Sequence, residues 1–308
     1  MLSRVAENLF WMARYMERTN AQLRIVRTLY VASQDGIPFM KWEEVYKLCN
    51  AMAPDEGNIP VAEVLNLVLF DKDNEESICS NVFKARENAR SVQDHITIEL
   101  WQCLNDFYHL VKNAELPQRI SEGDPISVLD SLIMQCMYYY GIVDNFMFRG
   151  EGFYFLNLGK YIERSLQTVK SLSRQYAHNN GVHTEGLDLV SWRYFLFSMS
   201  GYEFYLKSNA GLIEPKKIFN QVMSDSLFPH SVAYCLQRVV YYGEQLSVSR
   251  FEESSSNVNF AIGKADAVLR YKQLSFNDED VYEFFSEANA NIHDIISALN
   301  INYFGLNQ

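Results

Sequence analysis

The first thirty residues carry an apolar stripe that suits one kind of backbone. Val5, Leu9, Met12, Met16, Leu23, Val26 and Tyr30, with Thr19 as the one polar member, step by alternating fours and threes. That spacing puts side chains on one face of an α-helix. The face returns later in the chain. At an offset of 146, Leu9, Met12, Met16, Thr19, Leu23, Val26 and Tyr30 map onto Phe155, Leu158, Ile162, Ser165, Val169, Leu172 and Tyr176, and even the polar member stays a hydroxyl residue. A chain that repeats a long amphipathic helix has to bury both copies. The expectation is therefore a single all-α domain over 1–308, a helical bundle whose halves, about 1–147 and 148–308, pack around an approximate twofold axis.

The rest of the chain fits that reading. Only 7 Pro and 14 Gly interrupt 308 residues, which suits long helices better than short strands and turns. Periodic segments follow around Trp42–Met52 and Val61–Leu69. Ile78, Val82, Ala85, Ala89, Val92, Ile96, Cys103 and Leu110 then share one stripe, predicting a continuous helix from Ile78 to Val111, about 50 Å long at its usual rise. Glu99 falls on that stripe as a polar exception. Ile126–Phe148 closes the first half. The second half shows helical patterns near Leu187–Leu206, Lys216–Met223, Ser231–Arg250, Val258–Lys272 and Asp278–Ile301, with the acidic, serine-rich stretch 251–257 expected as a solvated loop. Trp42 matches Trp192 at an offset of 150, and Asp71 and Ser77 match Asp225 and Ser231 at 154, a drift that small insertions explain.

Several function classes drop out. A net charge of −11 opposes nucleic acid as the main partner, because phosphate binding needs a basic face. The five cysteines are odd in number, widely spaced and without a C-x-x-C, which indicates reduced core thiols rather than disulfides or a thiolate zinc site. No metal or cofactor is expected, since the E-x-x-H of di-iron bundles, H-E-x-x-H, G-x-S-x-G, the phosphate-binding loop and the dinucleotide fingerprint are all missing. The N-terminus is too charged for a secretory leader and no run of about 18 uncharged apolar residues follows, so no membrane partner is expected and the cytoplasm is the expected location.

The polar residues on the two repeated helices are the candidates for chemistry. Arg14, Glu17 and Arg18 recur as Lys160, Glu163 and Arg164. Glu17 and Arg18 point about 100° apart on a helix, so each needs a partner elsewhere. The two copies either pair crosswise as structural ion pairs, costly to break once buried, or line a polar cleft for a carboxylate or phosphate ligand. In the cleft reading Glu17 or Glu163 is the general base and the arginines hold the anion. Arg86 and Arg90 stand four apart, where like charges repel. Asp94 can relieve Arg90, while Arg86 lacks an obvious local acid and calls for an anion or a cross-helix pair. Pro229 suits the first turn of a helix opening at Pro229-His230-Ser231, a place that attracts anions. His178 and His183 lie in a glycine-containing stretch that reads as a loop.

The stretches WMARYMER, KARENARSV, FMFRGEGFYFLNLGKYIERS and FPHSVAYCL, in that order, give the chain a resemblance to the alpha-E family, all-helical bacterial proteins named for a Glu-Arg motif. The likeness covers essentially the whole length. It implies that Arg14, Glu17, Arg18, Arg86, Glu87, Asn88, Arg90, Arg149, Glu163, Arg164 and Ser231 are family-pattern positions. His230 stands where relatives usually carry Arg, and Lys160 also replaces an Arg, which removes the bidentate fork. The family's usual company, ATP-grasp-type and transglutaminase-like proteins, implies partners that make or modify peptide or amide bonds. Three functions follow as expectations: a non-catalytic interaction or ligand-handling partner of an ATP-grasp ligation system, an enzyme acting on a carboxylate or peptide in a Glu/Arg-lined cleft, or a structural scaffold. The first is the preferred expectation.

Overall fold

The computed structural model describes residues 1–37, 42, 45, 60–179, 181–182, 187–209, 211–249, 253–272 and 274–305. Among the described residues there are thirteen α-helices and no strand, so the chain is all-α. It packs as two compact units, Trp11–Phe148 and Met1–Phe10 together with Arg149–Gln308. Most of the expected segment Trp42–Met52, and His183, lie outside the described residues.

Helix α1 (Ser3–Gln34) begins in the second of these units and continues into the first. Its stripe is buried from Val5 to Val26, Thr19 included. It stops where Gly36 adopts φ +68 and the Ile37 amide returns to the Ala32 carbonyl at 2.9 Å, a left-handed cap that glycine takes without a Cβ penalty.

The Trp11–Phe148 unit adds α2 (Val61–Phe70), α3 (Ile78–Ser91), α4 (Ile98–Val111), α5 (Glu115–Ser121) and α6 (Pro125–Phe146). The expected continuous rod from Ile78 to Val111 is broken. Val92 leaves helical geometry, a short 3-10 turn spans Gln93–His95, and Thr97 caps α4 by accepting the Leu100 amide at 3.2 Å. The hydroxyl cap offers the backbone an alternative to continuing the helix, and the two 14-residue pieces pack against each other. Glu99 thereby becomes an exposed first-turn acid, where the helix dipole favours it.

Of the described helices, only α6 is long and apolar enough to cross a membrane, with a mean hydropathy of 1.3 in its best window. Its Val128, Leu129, Leu132, Cys136, Tyr139 and Ile142 face is buried in the unit, and its Asp130 pairs with Arg27 of α1. One face of α6 is thus packed in this unit, while Met134, Tyr138 and Phe146 stay exposed.

The other unit is built on α7 (Glu151–His178), α8 (Leu187–Ser198), α9 (Tyr202–Asn209), α10 (Pro215–Ser224), α11 (Val232–Ser249), α12 (Glu253–Tyr271) and α13 (Asp278–Leu299), closed by a π turn over Asn300–Phe304. α7 packs mainly on α11, and its second stripe, Phe155 to Tyr176, is buried throughout. The start of α1 belongs here because the Phe10 ring packs at a tilt on Phe304, which also meets Phe155, and the Met1 amino group pairs with Glu151 at 2.6 Å.

Three local expectations change in this unit. The helix expected over Leu187–Leu206 breaks at Ser200 and Gly201, and a Cβ at Gly201 would lie 2.8 Å from the Phe228 ring. Glu253–Asn257, expected in a solvated loop, instead forms the first turns of α12. Pro229 and His230 precede α11 rather than opening it, because Ser231 is the cap, its Oγ accepting the Tyr234 amide at 3.0 Å.

Candidate functional site

Each unit carries one Glu-Arg pair on a long buried helix, and the surroundings are built from the sequence nearby. In the Trp11–Phe148 unit, Glu17 is 1% exposed and accepts a hydrogen bond from the Tyr140 hydroxyl of α6. Arg18, one step round α1, reaches the turn before α3, where its Nη1 donates to both oxygens of Glu76 at 3.1 Å. Arg14 is buried and covers Trp11, its guanidinium carbon 4.4 Å from the ring centroid, and Arg18 sits 5.7 Å over Tyr15. Guanidinium on aromatic faces suits a partly dry setting, since the group is weakly hydrated and planar.

The turn that delivers Glu76 has a definite construction. Asp71 ends α2, and its carboxylate accepts the Asp73 amide at 3.0 Å. The Ser77 hydroxyl donates to the Asp71 carbonyl at 2.6 Å and accepts the Ser80 amide at 3.1 Å, capping α3. Glu75 and Glu76 project between these anchors. Lys84 donates to the Glu75 carbonyl at 2.9 Å and meets its carboxylate at 3.5 Å.

Arg86 and Arg90 are resolved by a residue lying between them. Glu87 takes Arg86 on one oxygen at 2.8 Å and Arg90 on the other at 2.7 Å, whereas the sequence suggested Asp94 for Arg90. Arg86 also donates to Asn105 Oδ1 at 3.0 Å and stands over Trp101 at 5.3 Å and Tyr108 at 4.6 Å. These contacts pin α3 to α4. Asn88 is half-buried on α3.

In the other unit Glu163, also 1% exposed, accepts Gln167 Nε2 at 2.9 Å, one turn along α7. Arg164 is buried, lies 5.5 Å over Tyr161 and donates to the Pro229 carbonyl at 3.3 Å. Thr168 donates to the His230 carbonyl at 3.0 Å. Lys160 sits 5.1 Å over Tyr161, and exposed Arg149 covers Phe153 at 3.9 Å. The turn before α11 repeats the bonds of the first turn. Asp225 ends α10 and accepts the Leu227 amide at 2.8 Å, while the Ser231 hydroxyl donates to the Asp225 carbonyl and caps α11. His178 is the last residue of α7.

Sequence reasoning passed over Tyr140, Glu76 and Tyr161. Tyr140 carried no local signal, because 123 residues separate it from Glu17. Glu76 did carry one: it stands one residue before the matched serine of its turn. Behind Glu17 lie Cys103, Cys136 and Tyr139, all buried. Burial pushes the Cys103 thiol up to about 12, with Asp106 adding to the rise. Burial likewise raises Cys136 and Tyr139 beyond the titrating range, Glu17 contributing to both. These groups are neutral packing, not nucleophiles. Among the described residues no group of three His, Cys, Asp or Glu is placed to hold a metal ion.

Two cavities stand out. An open groove of about 510 Å³ runs between α2 and α5, lined by Glu63, Asn66, Phe70, Asp71 and Ser121. A far smaller one among α11, α12 and α13 is walled by Leu236, Leu269, Phe284 and Ile292. Neither is lined by Glu17, Arg18, Glu163 or Arg164.

Fold and site together define a class: an all-helical protein that carries a Glu-Arg pair on a buried helix in each of two units. The particular family follows. The family model for Alpha-E, described as a predicted alpha-helical domain with a conserved ER motif, matches residues 1–304, and the chain belongs to that family. No curated protein and no solved structure matches the chain.

Proposed function

We propose that this protein is a non-catalytic interaction and ligand-handling partner of an ATP-grasp-type ligation system, working in the cytoplasm, with transglutaminase-like proteins as further company. The burial of both candidate bases carries the reading. Glu17 and Glu163 are each 1% exposed and each already accepts a side-chain hydrogen bond. A general base has to reach the proton it removes, and carboxylates held this way act as structural anchors. The ligation partner itself comes from the family resemblance.

We also infer that the two units are copies of one ancestral helical unit. The matched stripes of α1 and α7 support this, as do the two capped turns with the same serine and aspartate bonds.

The test is to mix the purified protein with the ATP-grasp-type protein and follow association by analytical ultracentrifugation and ligation by ATP consumption. Association with altered ligation is expected, and a Glu17→Gln, Glu163→Gln double variant that still folds keeps both effects. No association, or ligation-type turnover by this chain alone that the double variant abolishes, overturns the proposal.

A further inference from the structure

The helix before each capped turn has the same length and ends the same way. α2 (Val61–Phe70) and α10 (Pro215–Ser224) are each 10 residues long and stop at Asp71 and Asp225, the aspartates that anchor the turns. Their inner faces correspond residue by residue: Val64, Leu65, Val68 and Leu69 are buried in one, Ile218, Phe219, Val222 and Met223 in the other. Their outer faces do not match. Where α10 carries Lys216, Lys217, Gln221 and Ser224, α2 carries Ala62, Glu63, Leu67 and Phe70.

The outer face of α10 is answered within its own unit. Lys216 stands 5.3 Å over Phe276, Lys217 pairs with Glu214 at 2.6 Å, and buried Gln221 donates to the Gly201 carbonyl at 3.2 Å. The outer face of α2 instead forms the open groove of about 510 Å³, with Leu67 and Phe70 half-buried in it and Ser121 of α5 on the other side. α2 is thus apolar on both faces, the pattern of a helix that is covered all round.

The charged groups that line this groove, among the described residues, are both acids. Glu63 is exposed, and its carboxylate has no ion-pair partner among the described residues. Asp71 gives one oxygen to the Asp73 amide at 3.0 Å and keeps the other. Asn66 lies between them along α2, its Oδ1 buried and without a hydrogen-bond partner, which is a costly state for an acceptor. Glu63 and Asp71 stand about 12 Å apart along the helix, too far to share one metal ion. Two positive charges at the ends of one apolar chain suit that spacing. The cations that α10 holds in its own sequence have to reach α2 from outside.

We propose that this groove binds a linear polyamine of the length of spermidine. Its terminal ammonium groups meet Glu63 and Asp71, its methylene chain lies on Leu67 and Phe70, and its middle amine donates to Asn66 once that side chain turns outward. The occupant is long, apolar along its stem and charged at its ends, as lysine side chains are when they cover apolar surface. None of the Glu-Arg residues lines the groove, so this site and the reading above stand or fall separately.

The test uses the purified protein alone. Spermidine is titrated by calorimetry at low ionic strength, where surface charge is least screened, with the Leu67 methyl and Asn66 side-chain amide signals followed by NMR. Saturable binding that shifts both signals is expected. Glu63→Gln, an exposed change that leaves the fold intact by circular dichroism, weakens it roughly fivefold. Ala62→Lys sets a competing ammonium beside Glu63 and weakens it at least as much. 1,3-Diaminopropane, too short to reach both acids, binds roughly fivefold more weakly than spermidine. Absence of saturation up to about 10 mM overturns the site, as does an affinity unchanged in both variants. Diaminopropane binding as tightly as spermidine overturns the span between the two acids, and tetralysine binding more tightly than spermidine overturns the polyamine assignment in favour of a basic peptide.

Discussion

The two units hold the same dipeptide by different means. In the Trp11–Phe148 unit, Glu17 takes a hydrogen bond from Tyr140 on α6, and Arg18 meets the carboxylate of Glu76. Both contacts join segments far apart in the chain. In the other unit, Glu163 takes its hydrogen bond from Gln167 on the same helix, and Arg164 meets a backbone carbonyl of the facing turn. A Glu-Arg pair at one point of a buried helix is thus a fixed location, and its chemistry is set by the turn and helix that face it.

The largest expected difference is at the glutamates. Tyr140→Phe withdraws a donor from a buried carboxylate and should cost about 2 kcal/mol, whereas Gln167→Ala removes a contact within one helix and should cost about 0.5 kcal/mol. Urea unfolding measures both, and equal losses would break the comparison.

At the arginines the effect is smaller. Glu76→Ala leaves a mostly buried guanidinium without its carboxylate, a loss of about 1–2 kcal/mol, while His230→Ala should stay within about 0.5 kcal/mol. A cost at His230 as large as that at Glu76 would show that the histidine already fills the role of the acid. The caps should not differ at all. Ser77→Ala and Ser231→Ala each remove a hydroxyl that both accepts an amide and donates to an aspartate carbonyl, and each should cost about 1 kcal/mol. Unequal costs would undo the correspondence of the turns.

The smallest effect at neutral pH concerns the thiols. Cys79, Cys103, Cys136 and Cys235 are buried, and in native protein at mildly alkaline pH these four should resist alkylation that proceeds once urea unfolds the chain. The sign of the pH dependence follows from Cys103. Its folded form is the neutral thiol, raised from an ordinary 9.0 to about 12. The stability this contributes is complete below 9.0 and is lost as the pH climbs toward 12. The urea midpoint of the Trp11–Phe148 unit should therefore hold up to 9.0 and fall above it, and a midpoint that rises there would contradict the burial of this thiol.

Parts of this architecture were legible in the residues. A stripe of fours and threes can be buried by a helix alone, so α1 and α7 could be read directly, whereas the match of Asp71 and Ser77 with Asp225 and Ser231 was legible only as a common offset, and its meaning as two capped turns came from the hydrogen bonds. The break inside Ile78–Val111 was not read, because an apolar stripe continues in register through Thr97 and only the cap shows that the backbone has left the helix. Arg86 and Arg90 were read as a like-charge pair in need of an anion, and Glu87 stood between them all along. Its side chain bends to both, an outcome decided by rotamers rather than by spacing.

The sequence by itself determined the all-α class, the two long helices and their Glu-Arg dipeptides, because helical periodicity is local and a few residues suffice to specify it. Only the tertiary structure decided that Glu17 faces Tyr140, that Arg18 finds Glu76, and that Arg164 meets the Pro229 carbonyl. Those relations join residues scores of positions apart, and they are fixed when the helices pack and bury the charges together.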